Sequence, residues 1–383
     1  MCGILGLFSR MLVSTAEQQA QASLHAMYHR GPDDKGLETI DISGGQMILG
    51  QARLSIIDLS SGGHQPMQSL DKRYSIVFNG EIYNYRELRE ELRAYGHSFY
   101  TESDTEVLLA AWSQWQTGCM PRLRGMFAFA LFDRLEEKLT LVRDAFGIKP
   151  LNYFRNKETL ALASEIPALL KLLPAKPKSN PQRVYQYLIL GSYDDGDDSF
   201  YEQVLQLKPG YFLSIKLSDI TMGEPQRWWW PSIEERVDIS FKKAAEQLRE
   251  MFLNNIRLHL RSDVPLGAAL SGGIDSSSVV CGIRHIEPKM PIHTFSFIAQ
   301  GSAVNEEHWI DIVNHYSNAI PHKVIVDPQE LGHDLDDIIR AQGEPFGDTS
   351  IYAQYRVFRL AREHGITVTL DGQGADELLA GYN

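Results

Sequence analysis

Cysteine is scarce in this chain, with Cys2, Cys119 and Cys281 the only three in 383 residues. An odd, widely spaced set is no disulfide framework. The fold must therefore be held by buried apolar surface, and a reducing compartment, the cytoplasm, is the expected location. Cys119 and Cys281 read as plain structural thiols. No apolar run approaches the roughly 20 residues that span a bilayer. The N-terminus has no basic stretch followed by an apolar core, so neither a membrane partner nor a signal peptide is expected. Positive charge is also in deficit, with 37 Lys and Arg against 49 Asp and Glu, a net charge of −12. That balance argues against a general polyanion binder, and no nucleic-acid partner is expected, although a local basic site stays open. There is no internal repeat and no low-complexity tract. What remains is an ordinary globular composition, 43% hydrophobic and 22% charged, on a chain long enough for two cores.

One stretch stands out, Leu270-Ser271-Gly272-Gly273-Ile274-Asp275-Ser276-Ser277-Ser278. The apolar run Val264 to Leu270 before it reads as a buried strand. Val279, Val280, Ile283 and Ile286 beyond it fall at helical spacing. A strand, a glycine turn and a helix N-terminus in that order present unpaired N–H groups and the positive end of a helix dipole. Two adjacent glycines clear the approach, and three serines add hydroxyl donors. The pattern suits a phosphate or pyrophosphate. It has neither the Walker ending nor the dinucleotide spacing. It resembles the pyrophosphate loop of ATP pyrophosphatases, enzymes that cut ATP to AMP and pyrophosphate. That resemblance implies ATP contacts at Ser271, Gly272, Gly273 and Ser276, with Asp275 helping to hold Mg²⁺.

The chain opens Met1-Cys2-Gly3-Ile4-Leu5-Gly6. A small residue at position 2 permits removal of Met1, which would place a free α-amine beside the Cys2 thiol. Such an amine, with a pKa of about 8, can act as base for its own side chain. Further on come a polar turn, His29 to Asp34; a strand, Leu49 to Asp58, with Arg53 in its middle; and a Ser/Gly-rich loop, Ser60 to Pro66. The strand Tyr74 to Phe78 runs into Asn79-Gly80-Glu81, and helices are expected from Tyr85 to Tyr95 and from Ser103 through Trp115. Gly125 to Phe132 and Lys138 to Arg143 read as core strands. Arg143-Asp144 and Gly147-Ile148-Lys149-Pro150 read as a structural corner, with no direct chemical role for Lys149.

These segments together resemble the N-terminal-nucleophile glutaminase domain of class II glutamine amidotransferases. The matches are Met1-Cys2-Gly3-Ile4, Arg30-Gly31-Pro32-Asp33, Arg53-Leu54-Ser55-Ile56, Asn79-Gly80-Glu81, Ser103-Asp104, Gly125 to Ala130, Arg143 to Leu151 and Ser164-Glu165. The resemblance implies that Cys2 attacks the side-chain carbonyl of glutamine, forming a thioester and releasing ammonia. The Asn79 side chain and the Gly80 N–H would stabilise the oxyanion. Arg53 suits a bidentate grip on the α-carboxylate, and Glu81 and Asp104 suit the α-ammonium.

Past this region, Pro- and Lys-rich residues 174 to 181 and Asp- and Gly-rich residues 191 to 199 read as surface connections. Lys208-Pro209-Gly210 turns into a strand, Tyr211 to Leu217. Residues 218–239 read as a linker, with Trp228, Trp229 and Trp230 packing between domains. A helix is expected from about Ser240, its stripe traced by Phe241, Ala244, Leu248, Met251, Phe252, Asn255 and Leu258. Strands at His293 to Ile298 and Lys323 to Val326 alternate with helices near 305–317 and 328–341, which predicts a parallel sheet. Ligands on such sheets lie at the carboxyl ends of the strands. The last strand, Ile366 to Leu370, delivers Asp371-Gly372-Gln373-Gly374-Ala375-Asp376, and Asp376 is a candidate second Mg²⁺ ligand.

A glutaminase joined to an ATP pyrophosphatase is similar to the glutamine-dependent asparagine synthetase family. The resemblance implies an αββα sandwich over 2–217 and an α/β parallel-sheet domain of the adenine nucleotide α hydrolase type over 240–383. Glutamine, ATP and a carboxylate acceptor, aspartate, are the implied substrates. The implied cycle runs through an acyl-AMP attacked by ammonia that crosses an internal channel. Main-chain groups near Leu270, Phe297 and the Asp371-Gly372 edge would contact ATP. A homodimer is compatible with the family, and the sequence does not give the oligomeric state. Two departures stand out. Gln373 occupies a position where the family commonly has a Glu that assists adenylate formation. Gln keeps hydrogen bonding but loses charge and proton acceptance. A different carboxylate, on a sugar or a natural-product precursor, therefore stays open as acceptor. The chain also stops at Asn383, on a fresh Gly-rich turn, whereas the family continues with further helices and a catalytic lysine. A cut-short synthetase half, a glutaminase-only fragment or a regulatory fragment is thus an open alternative. Phosphoribosyl-transferring and sugar-isomerising amidotransferases share the first half, but the Ser271 loop speaks against both.

Overall fold

The structure is a computed structural model that describes residues 1–10, 13–193, 196–221, 223–235 and 238–381. The chain divides into two compact units, Met1–Ser232 with Gln342–Gly347, and Ile233–Ala341 with the stretch from Asp348 onward.

The strands of the first unit are β1 (Gly3–Ser9), β2 (Asp34–Ile42), β3 (Gly45–Arg53), β4 (Met67–Gln68), β5 (Tyr74–Ile82), β6 (Gly125–Asp133), β7 (Lys138–Arg143), β8 (Asn152–Arg155), β9 (Thr159–Ala163), β10 (Val204–Gln206), β11 (Tyr211–Lys216) and β12 (Gln226–Arg227). They form two six-stranded sheets, in the orders β10-β8-β9-β1-β3-β2 and β12-β11-β7-β6-β5-β4. Neighbours within both sheets run antiparallel. Successive strand residues face opposite sides, and the burial follows that alternation. Ile4 and Phe8 of β1 meet Val77, Ala128, Ala130 and Leu141 between the sheets. Leu5 and Leu7 face the other way, into a cluster with Ala16, Ala20, Ile166 and Leu169 of helices α1 (Val13–Ala26) and α4 (Ile166–Leu172). Ile76, Phe78 and Phe129 back onto α2 (Tyr85–Ala94) and α3 (Asp104–Trp115). The result is the expected αββα sandwich. A further helix, α5 (Pro181–Leu190), starts on a proline whose missing N–H costs nothing there, and Asn180 caps it.

The second unit holds a four-stranded sheet, β13 (Leu266–Ala269), β14 (His293–Phe297), β15 (Ile320–Val324) and β16 (Val368–Leu370), in the order β15-β14-β13-β16 with all pairs parallel. Its helices are α6 (Phe241–His259), α7 (Ile274–Ile286), α8 (Glu307–Ser317), α9 (Pro328–Gln342), α10 (Ser350–Glu363) and α11 (Ala375–Leu379). Val279, Val280 and Ile283 of α7 are buried against the sheet, as their spacing predicts. Among the described residues no helix is long and apolar enough to cross a membrane.

Several readings change. β3 ends at Arg53 instead of running to Asp58, because the Arg53 guanidinium takes the carbonyls of Ile57, Asp58 and Ser60 and folds those residues back. The α6 stripe is covered only in part: Phe252 packs against the core and Ile256, outside the stripe, is buried, whereas Phe241 is 90% and Met251 69% exposed. Gly282 of α7 fixes the rotation, since a Cβ there would lie 2.4 Å from Ile256 Cδ1. Trp228 packs inside the first unit, stacking on Phe127 at 6.1 Å and donating Nε1–H to the Arg143 carbonyl at 3.1 Å. Trp229 lies against Phe146, and Trp230 is 70% exposed. α10 carried no reading from the sequence. Asn383, residues 194–195 of the Asp- and Gly-rich stretch, and residues 222 and 236–237 lie outside the described residues.

Candidate active site

Strand parity builds the site in the first unit. Cys2 shares the parity of Ile4, Arg53 that of Leu49, and Asn79 and Glu81 that of Val77, so all four turn toward the space between the sheets. β5 does not turn at Asn79-Gly80 but runs straight through, pairing Gly80 with Phe127. The crossing is so close that a Cβ on Gly80 would lie 2.2 Å from the Met126 carbonyl. Only glycine fits there, and the chain's Asn-Gly serves packing instead of a hairpin.

The partly buried Cys2 thiol accepts the Leu54 N–H at 3.4 Å and faces the Leu54 carbonyl at 3.6 Å. Burial pushes the thiol pKa up; the nearby N-terminal amine, the Leu54 N–H, Arg53 and Lys149 pull it back. The amine itself, here that of Met1, is lowered to about 6, chiefly by burial and further by Arg30 and Lys149. A neutral amine beside a thiol is a competent base at neutral pH. Asn79 is fully buried, and both its side-chain Nδ2 and Oδ1 are unpartnered. A buried amide that bonds nothing is costly unless something else completes it.

Arg53 is buried and gives one Nη1–H to Ser60 at 3.0 Å and its Nη2 hydrogens to Ile57 and Asp58 carbonyls. The Nε–H and a second Nη1–H are left for a ligand. Asp104, at the start of α3 behind the Ser103 cap, accepts the Ile82 N–H at 2.9 Å. Its carboxyl is pushed up to about 7, mainly by burial, with Glu81 adding to it. Burial also raises Glu81, and Lys149 opposes that rise.

Two residues without a role in the sequence reading belong here. Arg30 donates Nε–H to the Cys2 carbonyl at 2.9 Å and Nη1–H to Glu165 at 2.7 Å. Glu165 also meets His29 at 3.0 Å, so the Cys2 backbone is braced by the Arg30–Glu165 ion pair. Opposite charges in two separately matched motifs were the available signal. Lys149 is the other, and the corner reading of its neighbours holds. Asp144 gathers the N–H groups of Phe127, Phe146, Ile148 and Lys149 at 3.0–3.1 Å, and Arg143 clamps the carbonyls of Gly147, Lys149 and Leu207.

In the second unit the parallel sheet sends Leu270, Phe297 and Asp371 to the same edge, just past or at the ends of β13, β14 and β16. Gly272 adopts a left-handed φ of +90°, and Gly273 starts α7 with no side-chain cap. The first N–H groups of α7 therefore have no capping side chain. The Ser276 hydroxyl is spent inside the loop, on Ser271 N–H at 3.2 Å and Ser271 Oγ at 3.0 Å. It shapes the turn and is not a free donor. Leu270 has its N–H bonded to Phe295 and its carbonyl to Ser296 Oγ. Gly372 presses on the loop: a Cβ there would lie 2.8 Å from Ser276 N and 3.1 Å from Asp275 Cβ. Gln373 is exposed, and Asp275 and Asp376 are half-buried. Among the described residues no cluster of three His, Cys, Asp or Glu is placed to hold a metal alone. Asp275 lies in the first turn of α7 and Asp376 in the first turn of α11.

Residues 1–229 match the family model for a glutamine amidotransferase domain, and residues 247–383 the model for asparagine synthase. The whole chain aligns with asparagine synthetase [glutamine-hydrolyzing] 1 of Bacillus subtilis at 34% identity, covering 59% of that protein. It aligns at 32% with putative asparagine synthetase [glutamine-hydrolyzing] 2 of Methanocaldococcus jannaschii, covering 76% of it. A putative asparagine synthetase [glutamine-hydrolyzing] of Mycobacterium bovis is 35% identical, with 60% of its length covered. The chain thus spans about three fifths of the length of two of these relatives and three quarters of the third.

Proposed function

The chain belongs to the glutamine-hydrolysing asparagine synthetase family, and on that premise we propose that its first unit is a glutaminase and its second an ATP pyrophosphatase, together a ligase with glutamine as nitrogen donor. The observation that carries the proposal is the buried, unpartnered Asn79 carboxamide, next to Phe78, whose carbonyl takes the side chain of Gln51, the strand partner of Ile4. In this reading the Cys2 sulfur adds to the glutamine amide carbon while its α-amine takes the thiol proton. Asn79 Nδ2 and the Gly80 N–H hold the oxyanion. The proton returns to the leaving nitrogen, ammonia departs, and water cleaves the thioester to glutamate. Arg53 holds the α-carboxylate, and Glu81 and Asp104 the α-ammonium. Asp104, with a pKa near 7, ionises fully once that ammonium arrives.

In the second unit the Gly272 N–H and the first, uncapped N–H groups of α7 receive the pyrophosphate of ATP, on a Ser271 loop whose own N–H is bonded to Ser276 Oγ. Asp275 and Asp376 would hold Mg²⁺, which when bound neutralises phosphate charge. A carboxylate oxygen attacks the α-phosphorus, pyrophosphate leaves, and ammonia then displaces AMP from the acyl carbon. The proposed acceptor is aspartate, and the proposed setting is a cytoplasmic homodimer. Gln373 favours a second reading, in which another carboxylate is amidated, because an amide at this position cannot accept a proton.

The test measures glutamate, AMP and pyrophosphate from glutamine, ATP-Mg²⁺ and aspartate, in this chain and in one of the relatives' full length. Aspartate-dependent AMP that survives Cys2→Ala only with ammonia supports the proposal. Glutamate release without aspartate-dependent AMP in either chain removes aspartate as acceptor and leaves the second reading.

A further inference from the structure

Gln51 is a buried side chain that the proposed chemistry leaves unused, 1% exposed in β3. Leu49 and Arg53 share its strand parity, and Leu49 packs between the sheets, so Gln51 faces that space too. It reaches across to the second sheet, where its Nε2–H donates to the Phe78 carbonyl of β5 at 2.7 Å. The Phe78 N–H goes to Gln65 Oε1 at 2.7 Å, and Gln65 is anchored on Thr105 Oγ1 at 3.0 Å. The backbone just before Asn79 is therefore held by two side-chain amides. A carbonyl only accepts, so the end of Gln51 that meets Phe78 is its NH2 and the other end is its oxygen. That oxygen is buried and has no partner among the described residues. An apolar side chain of similar size would fill the place without the cost of a buried, unpaired acceptor. Across on β1 the residue opposite Gln51 is Ile4, and Cys2 precedes Ile4 by two on the same face. Diagonal neighbours of that kind lie about 7–8 Å apart, within reach of a long side chain.

We propose that Gln51 is a specificity-determining residue of the proposed glutamine pocket, its Oε1 accepting an N–H of the scissile amide and of the ammonia that leaves it. This rests on the glutaminase reading of the first unit. A carboxamide offers an oxygen that accepts and an NH2 that donates. Asn79 Nδ2 takes the oxygen and Gln51 Oε1 a hydrogen on the nitrogen, so the pocket reads both ends of the group. Glutamate, the product, has no N–H to give, and its second carboxylate oxygen would face the Gln51 oxygen lone pair to lone pair. The same acceptor thus favours entry of the amide and release of the acid. A site built to pair a substrate N–H rejects an analogue that lacks it, because its own buried acceptor is then left unpaired.

Glutamate γ-methyl ester keeps the carbonyl that Cys2 would attack and lacks the N–H, so hydrolysis of glutamine and of this ester is compared in the parent and in Gln51→Met. The variant is expected to lose about tenfold in kcat/KM for glutamine and less than about twofold for the ester. Circular dichroism checks that it is folded. A second measurement leaves Gln51 in place: Cys2→Ala, which cannot form the thioester, is titrated with both compounds, and glutamine is expected to bind about tenfold more tightly than the ester. A folded Gln51→Met that keeps the parent's activity, or loses it equally for both substrates, overturns the proposal, as does equal binding of the two compounds by Cys2→Ala. A parent that releases glutamate from neither substrate overturns the glutaminase reading itself, and the role of Gln51 with it.

Discussion

Gly63→Ala tests how the proposed glutamine pocket is held. Gly63 lies in the short turn Ser61–Gly63, its backbone conformation is open to alanine, and it is buried. A Cβ there would sit 1.8 Å from Arg53 Nη2 and 2.4 Å from Cζ. An arginine tip can usually swing aside, but this one is tied to three backbone carbonyls. To reach an ordinary contact distance the guanidinium must move roughly 1.5 Å, enough to break hydrogen bonds. Losing a bond to the turn costs stability in the free and bound protein alike, whereas losing one to a substrate carboxylate weakens binding by roughly 1.5 kcal/mol. That converts to a KM for glutamine about tenfold higher. Cys2 and Asn79 are untouched, so kcat should change by less than about threefold. Steady-state glutamate release gives both constants, and circular dichroism checks that the variant is folded. A folded Gly63→Ala chain with the parent's KM would refute the assignment of Arg53 to the α-carboxylate.

Asp144→Ala removes a buried acceptor of four backbone N–H groups. Some of those amides can reach water, so the expected loss is about 3 kcal/mol, read as a lower urea midpoint for the first unit. Gly372→Ala puts a methyl group into the Ser271 loop and should lower ATP-dependent AMP formation at least about tenfold, leaving glutamate release intact. The second unit should weaken in acid. His293 Nδ1 lies 2.9 Å from His322 Nε2, the His364 ring is 4.0 Å from that of His322, and Phe295 stacks on it at 4.9 Å. Burial and the two neighbouring histidines hold the His322 pKa below its ordinary 6.5. The folded state therefore binds fewer protons than the unfolded one, so stability is complete above about 6.5 and declines as pH falls toward the folded value. Melting curves from pH 7.5 to 5 should show this slope, and His322→Phe should flatten it.

Much of the candidate glutamine site was legible because its residues sit in motifs whose chemistry is local. Cys2 at an N-terminus, Arg53 on a strand and Asn79 next to Gly80 are each unusual enough to be noticed. The burial alternation that turns them toward one space is also visible, in Ile4, Leu49 and Val77. What the sequence did not carry is contact between distant segments. Nothing near Asp144 says that its carboxylate gathers the N–H of Phe127 from another strand as well as those of its own turn. The brace from Arg30 to Glu165 joins residues 135 apart. The α6 stripe is covered only in part for the same reason: periodicity gives an apolar arc, while Gly282 on another helix decides which part of it, Phe252 and the neighbouring Ile256, is packed. Ser276 reads as a phosphate donor by composition, yet its hydroxyl closes the loop on Ser271.

The most direct measurement is the mass of the Cys2 peptide after exposure to 6-diazo-5-oxonorleucine, a glutamine analogue that alkylates a thiol poised to attack the glutamine carbonyl. The account predicts a single adduct on Cys2, with Met1 absent, blocked by glutamine and lost in Asn79→Ala at matched concentration. Labelling at Cys119 or Cys281 instead, or a Cys2 adduct that glutamine does not block, would contradict it.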